Sequence, residues 1–378
     1  MQDVVVIGAG PAGLALGACL KQQGLNPLIL EREATVGSAW RRHYDRLHLH
    51  TDKKRSHLPM VPFPKDAPRY VPRQQVVTYL EEYADAFGLQ PRVNCAVSHV
   101  TPMTGGWRVQ TPQEVIETRV VIPATGVSQQ PKYGTWPGID GFPGPVLHSR
   151  DYRRPADLLG QRVLVIGFGN SGGEIAIDLV EAGKDVDMAV RGPLNLLPKE
   201  LFGLPIGNFE LLQKFLPYQI ADRLTAPVLR AKLGDYAQYG LQKSSKGPIA
   251  QVREDGRIPL IDLGTLDLIK QGRITIRPGL ERFDGAKVHF VDGTQGDYDA
   301  ILMATGYGVD LRDMFPASPQ VLDGEGRPRH SARQLAPGLW FCSYHTVPNG
   351  QLKEIALQAP QIVTQVADYL AAARRSAG

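Results

Sequence analysis

The chain has 378 residues, of which 43% are hydrophobic and 21% charged, and a formal net charge of +4. That length exceeds one ordinary core and points to two globular domains, while the scattered Lys and Arg argue against nucleic acid and leave anionic small molecules open. Cysteines stand at 19, 95 and 342 without a Cys-x-x-Cys or a His/Cys cluster, which excludes a dithiol centre and predicts no metal. The same cysteine usage predicts a reducing, cytoplasmic location.

The N-terminal run "VVVIGAGPAGLALGACL" is apolar, yet no basic segment precedes it and glycines interrupt it, so it reads as strand, turn and helix rather than a leader. No stretch is long and apolar enough to span a bilayer, so no membrane partner is expected. "DVVVI" suits a parallel strand buried on both faces, "GAGPAG" turns the chain, and "LALGACLKQQG" is helical and ends at Gly24. "NPLILE" then supplies a second strand closing on Glu31, which completes a βαβ unit.

Further on, "YVPRQQVVTYLEEYADAFG" predicts an amphipathic helix. "VNCAVSHVTPMTGGWRVQT" with "ETRVVIPATG" predicts a small antiparallel sheet feeding a core strand. At 162 the first pattern returns as "RVLVIG", "GFGNSG", "GEIAIDLVEAG" and "DVDMAVR". Residues 194–250 fit no minimal βαβ plan and are expected to form a helical insertion. "KVHFVDGTQGDYDAILMATGYG" predicts a hairpin leading into a buried strand.

The fold expected is therefore α/β, with two Rossmann-like dinucleotide-binding domains, the second inserted in the first. The boundaries drawn are 1–149 with 299–378 for the first dinucleotide-binding domain and 150–298 for the second.

Gly8, Gly10 and Gly13 give G-x-G-x-x-G between a strand and a helix, with Pro11 and Ala12 inside the turn. The first glycine permits the tight turn, the second lets the backbone approach a pyrophosphate, and the third allows close helix packing. Glu31 can accept hydrogen bonds from a ribose diol, with Arg32 beside it. Gly167, Gly169 and Gly172, with Asn170 and Ser171, repeat the pattern. Here Arg191 stands where an acid would select NAD, and a guanidinium can hold a 2′-phosphate with paired hydrogen bonds. Two strands end in Ala-Thr-Gly, at Ala124, Thr125, Gly126 and at Ala304, Thr305, Gly306, and these are counted with the cofactor-binding residues. Two dinucleotide sites in one chain imply electron transfer between two cofactors, FAD and NADPH.

The loop "GFPGPVLHSRDY" precedes the second turn, and its Phe142, Gly144, His148 and Tyr152 fit F-x-G-x-x-x-H-x-x-x-Y. With that motif the chain resembles the class B flavin-dependent monooxygenases. It is most similar to the YUCCA-type branch and its bacterial relatives in "YDRLHLHT", "LPMVPFP", "GFGNSGGE", "VRGPLNLLPKELFG" and "DAILMATGY". The resemblance implies an NADPH-dependent enzyme that uses a flavin C4a-(hydro)peroxide to insert one oxygen atom from O2 into a small organic substrate. A 2-oxo acid such as indole-3-pyruvate, an amine, a thioether or a ketone would fit that chemistry.

It also implies that Trp40 and Arg41 flank the flavin and that His50, with Thr51, lies beside the reactive ring. His148 and Tyr152 are expected to order the linker rather than to catalyse. The segment "WFCSYHTVPNGQLKEIALQAPQ" departs from the plant pattern, with His345 as a candidate pocket residue, and Lys199, Lys243 and Lys246 are candidates for a substrate carboxylate. A flavin reductase serving another acceptor and a non-catalytic NADPH sensor are the alternative readings.

Overall fold

A computed structural model describes the protein at every residue except 210–216, 256–258, 346, 348, 349 and 378. The chain divides into two compact units. One comprises Met1–Arg41, Thr51–Gln130 and Tyr307–Gly378, and the other Arg42–His50 and Pro131–Gly306.

In the first unit β1 (Gln2–Ile7) runs parallel to both β2 (Leu28–Leu30) and β5 (Val115–Pro123). Between β1 and β2 lies α1 (Pro11–Gln22), whose Pro11 fits a first helical turn because its missing N–H costs no bond there. An unbroken buried run from Ala12 to Leu20 shows that the helix is enclosed by the unit. Its neighbours include the C-terminal helix Gln351–Ala377. After the short α2 (Ser38–Arg41) and the amphipathic α3 (Arg73–Ala86), β3 (His99–Met103) and β4 (Gly106–Gln110) extend the sheet antiparallel onto β5. Val5, Ile7, Trp107, Val121 and Phe341 share one core cluster.

In the second unit five strands run in the spatial order Ile274–Arg277, Asp185–Ala189, Arg162–Ile166, Ala300–Met303, Val146–His148. Every one of these pairings is parallel. Helix α4 (Asn170–Glu181) follows the Arg162–Ile166 strand. The 194–250 segment opens extended, since Leu196–Pro198 pairs with Leu260–Asp262 and Glu200–Leu201 with Leu204–Pro205. It becomes helical at Tyr218–Leu233. Part of the predicted insertion, 210–216, lies outside the described residues.

The sequence predicts boundaries at 149/150 and 298/299, whereas the structure divides the chain at 130/131 and 306/307. The reason is hydrogen bonding: Val146–His148 and Ala300–Met303 both belong to the second sheet. Residues 42–50 also group with the second unit, because their side chains bond to α4. No helix among the described residues is long and apolar enough to cross a membrane.

Candidate active site

Strand register assembles the first turn. Ile7 pairs with Leu30 and with Pro123, so Gly8, Glu31 and Ala124 follow in a row at the carboxyl edge of the sheet. Ligands of open α/β sheets bind at that edge. Gly8 has φ +106°, and a Cβ there would lie 2.8 Å from the Ala124 carbonyl oxygen. A Cβ on Gly13 would lie 1.8 Å from the Gly8 oxygen, so only glycine lets α1 approach the turn so closely. Above Gly10 nothing stands within 4 Å of the corresponding point, leaving the backbone open to a phosphate at the start of α1.

Glu31 is buried, and its Oε2 accepts the Ala9 N–H at 2.7 Å while Oε1 accepts that of Glu33 at 3.0 Å. An ionised carboxylate has about four lone-pair sites, so two remain for a diol. Thr125 and Gly126 border the same edge, where Gln129 donates to the Gly126 carbonyl at 2.9 Å. Tyr344 bonds the Thr125 hydroxyl at 2.5 Å, and burial pushes its own phenol up to about 12. These residues fit a bound dinucleotide. Two assigned neighbours do not join the cradle: Arg32 is exposed and pairs with Glu33, and the Arg41 guanidinium is committed to Glu81 on α3. Trp40 is half-buried on α2.

The second turn copies the first. Ile166 pairs with Ala189 and with Met303, which lines up Gly167 and Ala304 at the edge. Gly167 has φ +102°, and a Cβ there would lie 2.7 Å from the Ala304 oxygen. A Cβ on Gly172 would lie 2.2 Å from the Gly167 oxygen, and the space above Gly169 is open within 4 Å. Ser171, in the first turn of α4, is half-buried, and the Asn170 side chain is taken by structure, its Oδ1 accepting the Ile261 N–H at 2.8 Å. Arg191 is exposed beyond the end of the Asp185–Ala189 strand. This cradle too fits a dinucleotide, with a cation at its rim.

His148 and Tyr152 explain the linker motif. Met303 pairs with His148, which puts the imidazole level with the second Ala-Thr-Gly end. His148 Nδ1 accepts the Arg150 N–H at 3.1 Å, so Nε2 carries the proton and donates to the Gly306 oxygen at 3.2 Å. Burial pushes the His148 pKa down. Thr305 donates to the Lys132 oxygen beside it. Tyr152 is fully buried and donates to Asp178 on α4 at 2.7 Å, and burial raises both its pKa and that of Asp178. Both motif residues tie the loop down, His148 to Gly306 and Tyr152 to α4.

His50 lies in the strap of residues 42–50. Its Nε2 is 3.2 Å from Oε2 of Glu174, a buried residue on α4, and Tyr44 donates to the same oxygen at 2.8 Å. Arg46 pairs with Glu181 on that helix. Thr51 groups with the first unit, where its hydroxyl meets Ser56 at 2.7 Å. His50 and Thr51 are therefore adjacent in sequence but anchored in different units.

Sequence reasoning missed Glu174, Asp178 and Glu181 as one acidic helix face, although their spacing of four and three residues within "GEIAIDLVE" is the helical signal for it. It also missed Tyr344, which meets the first turn from the divergent segment, whereas the neighbouring His345 is exposed. Among the lysines, Lys246 pairs with Glu254 and Lys243 is exposed, while burial pushes the Lys199 pKa down. All three cysteines are free and buried, and burial raises the Cys19 thiol to about 11, which opposes thiolate chemistry.

Two open cradles, each at the carboxyl edge of parallel strands, define a nucleotide-dependent oxidoreductase, and residues 5–197 match the family described as pyridine nucleotide-disulphide oxidoreductase. The indole-3-pyruvate monooxygenase YUCCA1 of Oryza sativa subsp. japonica is 39% identical over 327 residues, covering 85% of this chain and 80% of that protein. YUCCA6 of Arabidopsis thaliana is 39% identical over 313 residues, covering 80% and 75%. A double-substitution variant of the flavin monooxygenase from Stenotrophomonas maltophilia shares the fold with a TM-score of 0.75 at 25% identity, covering 98% of this chain and 100% of that one. An oxidised steroid monooxygenase bound to NADP gives 0.76 at 19% identity, covering 98% and 85%, a likeness of fold. The chain belongs to the flavin-dependent monooxygenase family that contains the YUCCA-type enzymes.

Proposed function

We propose that this chain is an NADPH- and O2-dependent FAD monooxygenase acting on a small aryl 2-oxo acid of the indole-3-pyruvate type, in the cytoplasm. The observation that supports it most is the pair of cradles, each with a forced glycine and an open approach, in a chain of this family. We assign FAD to the first cradle and NADPH to the second, on the strength of Glu31 in one and Arg191 in the other. FAD, when bound, supplies two-electron redox chemistry and the activation of dioxygen, with NADPH as the source of electrons.

The residues then have separate tasks. Gly10, Ala12 and Gly13 bring backbone N–H groups to a pyrophosphate, Gly8 makes the turn with its own N–H on the Leu30 carbonyl, Pro11 starts the helix, and Glu31 orients a ribose. Ala124, Thr125 and Gly126 border that edge, with Thr125 held by Tyr344. Gly167, Gly169, Ser171 and Gly172 serve the second nucleotide, Asn170 braces the turn, and Ala304, Thr305 and Gly306 form its border. Arg191 would bind a 2′-phosphate. His50, anchored by Glu174, is the side chain we assign to the reacting centre, with Thr51 next to it in the chain. Leu47 and Leu49, which precede His50 in the strap, are buried.

The testing experiment is a panel of aryl 2-oxo acids, amines, thioethers and ketones incubated with NADPH under air. Product mass and consumption of both co-substrates are the readouts. The reading expects a decarboxylated acid from the 2-oxo acid with matched NADPH and O2 use. An oxygenated amine or thioether without turnover of the 2-oxo acid would overturn the substrate assignment.

A further inference from the structure

We infer that Glu174 is a positioning residue that fixes the proton of His50 on Nε2, so that the neutral imidazole presents Nδ1 as a hydrogen-bond acceptor. The geometry is specific. Glu174 is 3% exposed, and its Oε2 receives the Tyr44 O–H at 2.8 Å while lying 3.2 Å from His50 Nε2. An ionised carboxylate accepts and never donates, so the nitrogen facing it carries the N–H. In a neutral imidazole the other nitrogen is then the acceptor. Carboxylates fix the tautomer of catalytic and metal-binding histidines by the same rule.

Tyr44 strengthens the arrangement. Its ring is buried, 6.4 Å from that of Tyr152, and its hydroxyl holds the carboxylate oxygen in place from the strap side. Glu174 lies one turn into α4, the helix that opens at the second glycine turn. The same helix therefore carries a nucleotide cradle at its start and the anchor of His50 one turn later. The His50 side chain retains 17% exposure. With that tautomer, neutral His50 accepts at Nδ1 from an O–H or N–H group and becomes a donor there only after it has taken a proton. The functional half of this inference rests on His50 being at the reacting centre, and the tautomer does not.

Nitrogen NMR of protein with isotope-labelled histidine reads the tautomer directly, in cofactor-free protein and at a pH where the imidazole is neutral. His50→Gln assigns the signal. The expected spectrum shows His50 protonated on Nε2, and Glu174→Gln turns that single form into a mixture, because an amide can face the ring with either its oxygen or its nitrogen. His148, fixed by backbone groups, keeps its own pattern in the variant and reports that the fold survives. A wild-type His50 protonated on Nδ1 overturns the inference even where the variant does not fold, and so does an unchanged tautomer in Glu174→Gln.

A second arm measures hydrogen peroxide released per NADPH oxidised. Both Glu174→Gln and His50→Gln should raise it several-fold, and the double variant should be no worse than either alone. The expected tautomer combined with unchanged coupling in His50→Gln would uphold the dyad and remove His50 from the reaction.

Discussion

The two glycine turns share a backbone plan and differ in the residue that follows the second strand. In both, a glycine at φ above +100° leans on an alanine carbonyl, and a second glycine packs against the first. Beyond that the first turn places a buried carboxylate, Glu31, with both oxygens bonded to backbone N–H groups. The second leaves Arg191 exposed and free of the constraints that hold Glu31. The backbone geometry is thus common to both turns, and in the proposed assignment one side chain selects which dinucleotide each takes. A preformed, buried acceptor suits a cofactor that stays, and a solvated cation suits one that exchanges.

The largest expected effect breaks one cradle and spares the other. In Gly13→Ala the added carbon would lie 1.8 Å from the Gly8 oxygen, a backbone atom that cannot swing aside. The purified variant should lose its yellow colour and unfold at lower temperature, by at least the roughly 1–3 kcal/mol typical of overpacking. Gly172→Ala, with a 2.2 Å approach to the Gly167 oxygen, should keep the flavin absorbance and lose NADPH oxidation. Equal flavin loss in both variants would show that the cradles are not separate.

Arg191→Glu sharpens the contrast in selectivity. A charge-assisted hydrogen bond contributes roughly 1.5–3 kcal/mol, so the KM for NADPH should rise about ten- to hundredfold. The KM for NADH should change little, and a parallel loss for both would move the phosphate contact elsewhere.

Tyr152→Phe tests the linker. It removes the hydroxyl that bonds Asp178 and leaves that carboxyl without this donor, a cost of about 1–3 kcal/mol readable as a lower Tm. Catalytic coupling should be preserved, since the side chain is fully buried and its hydroxyl is bonded to α4.

The smallest effect is on the acid limb of stability. Burial lowers the His148 pKa in the folded state, so the unfolded chain binds more protons once pH falls below the ordinary histidine value of about 6.5. The stability that neutral His148 contributes is complete above that value and is lost as pH falls through it toward the folded pKa. Denaturant midpoints measured across this range should flatten in His148→Gln.

Local pattern made both cradles legible in the sequence, because a βαβ unit with its glycines lies within about thirty residues. The same locality gave α3 and the hairpin before Ala300–Met303. What stayed hidden depends on distant pairing. Val146–His148 reads as a Gly/Pro loop until Ala300–Met303 lies alongside it and draws both strands into the second sheet. His50 and Glu174 are 124 residues apart, and nothing in "LHLHT" names its partner. The extended start of the 194–250 segment likewise needs Leu260–Asp262 before it becomes a strand. Tyr344 is next in the chain to His345, and its burial and its Thr125 contact depend on distant residues that the segment itself does not show.

The central claim is that electrons from NADPH serve to place an atom of dioxygen in an organic product. Turnover of the 2-oxo acid under isotopically heavy dioxygen, with the product read by mass, tests it most directly. The account predicts one heavy oxygen in the carboxylate product for each NADPH consumed. An unlabelled product, or NADPH oxidation that proceeds equally without oxygen, would contradict it.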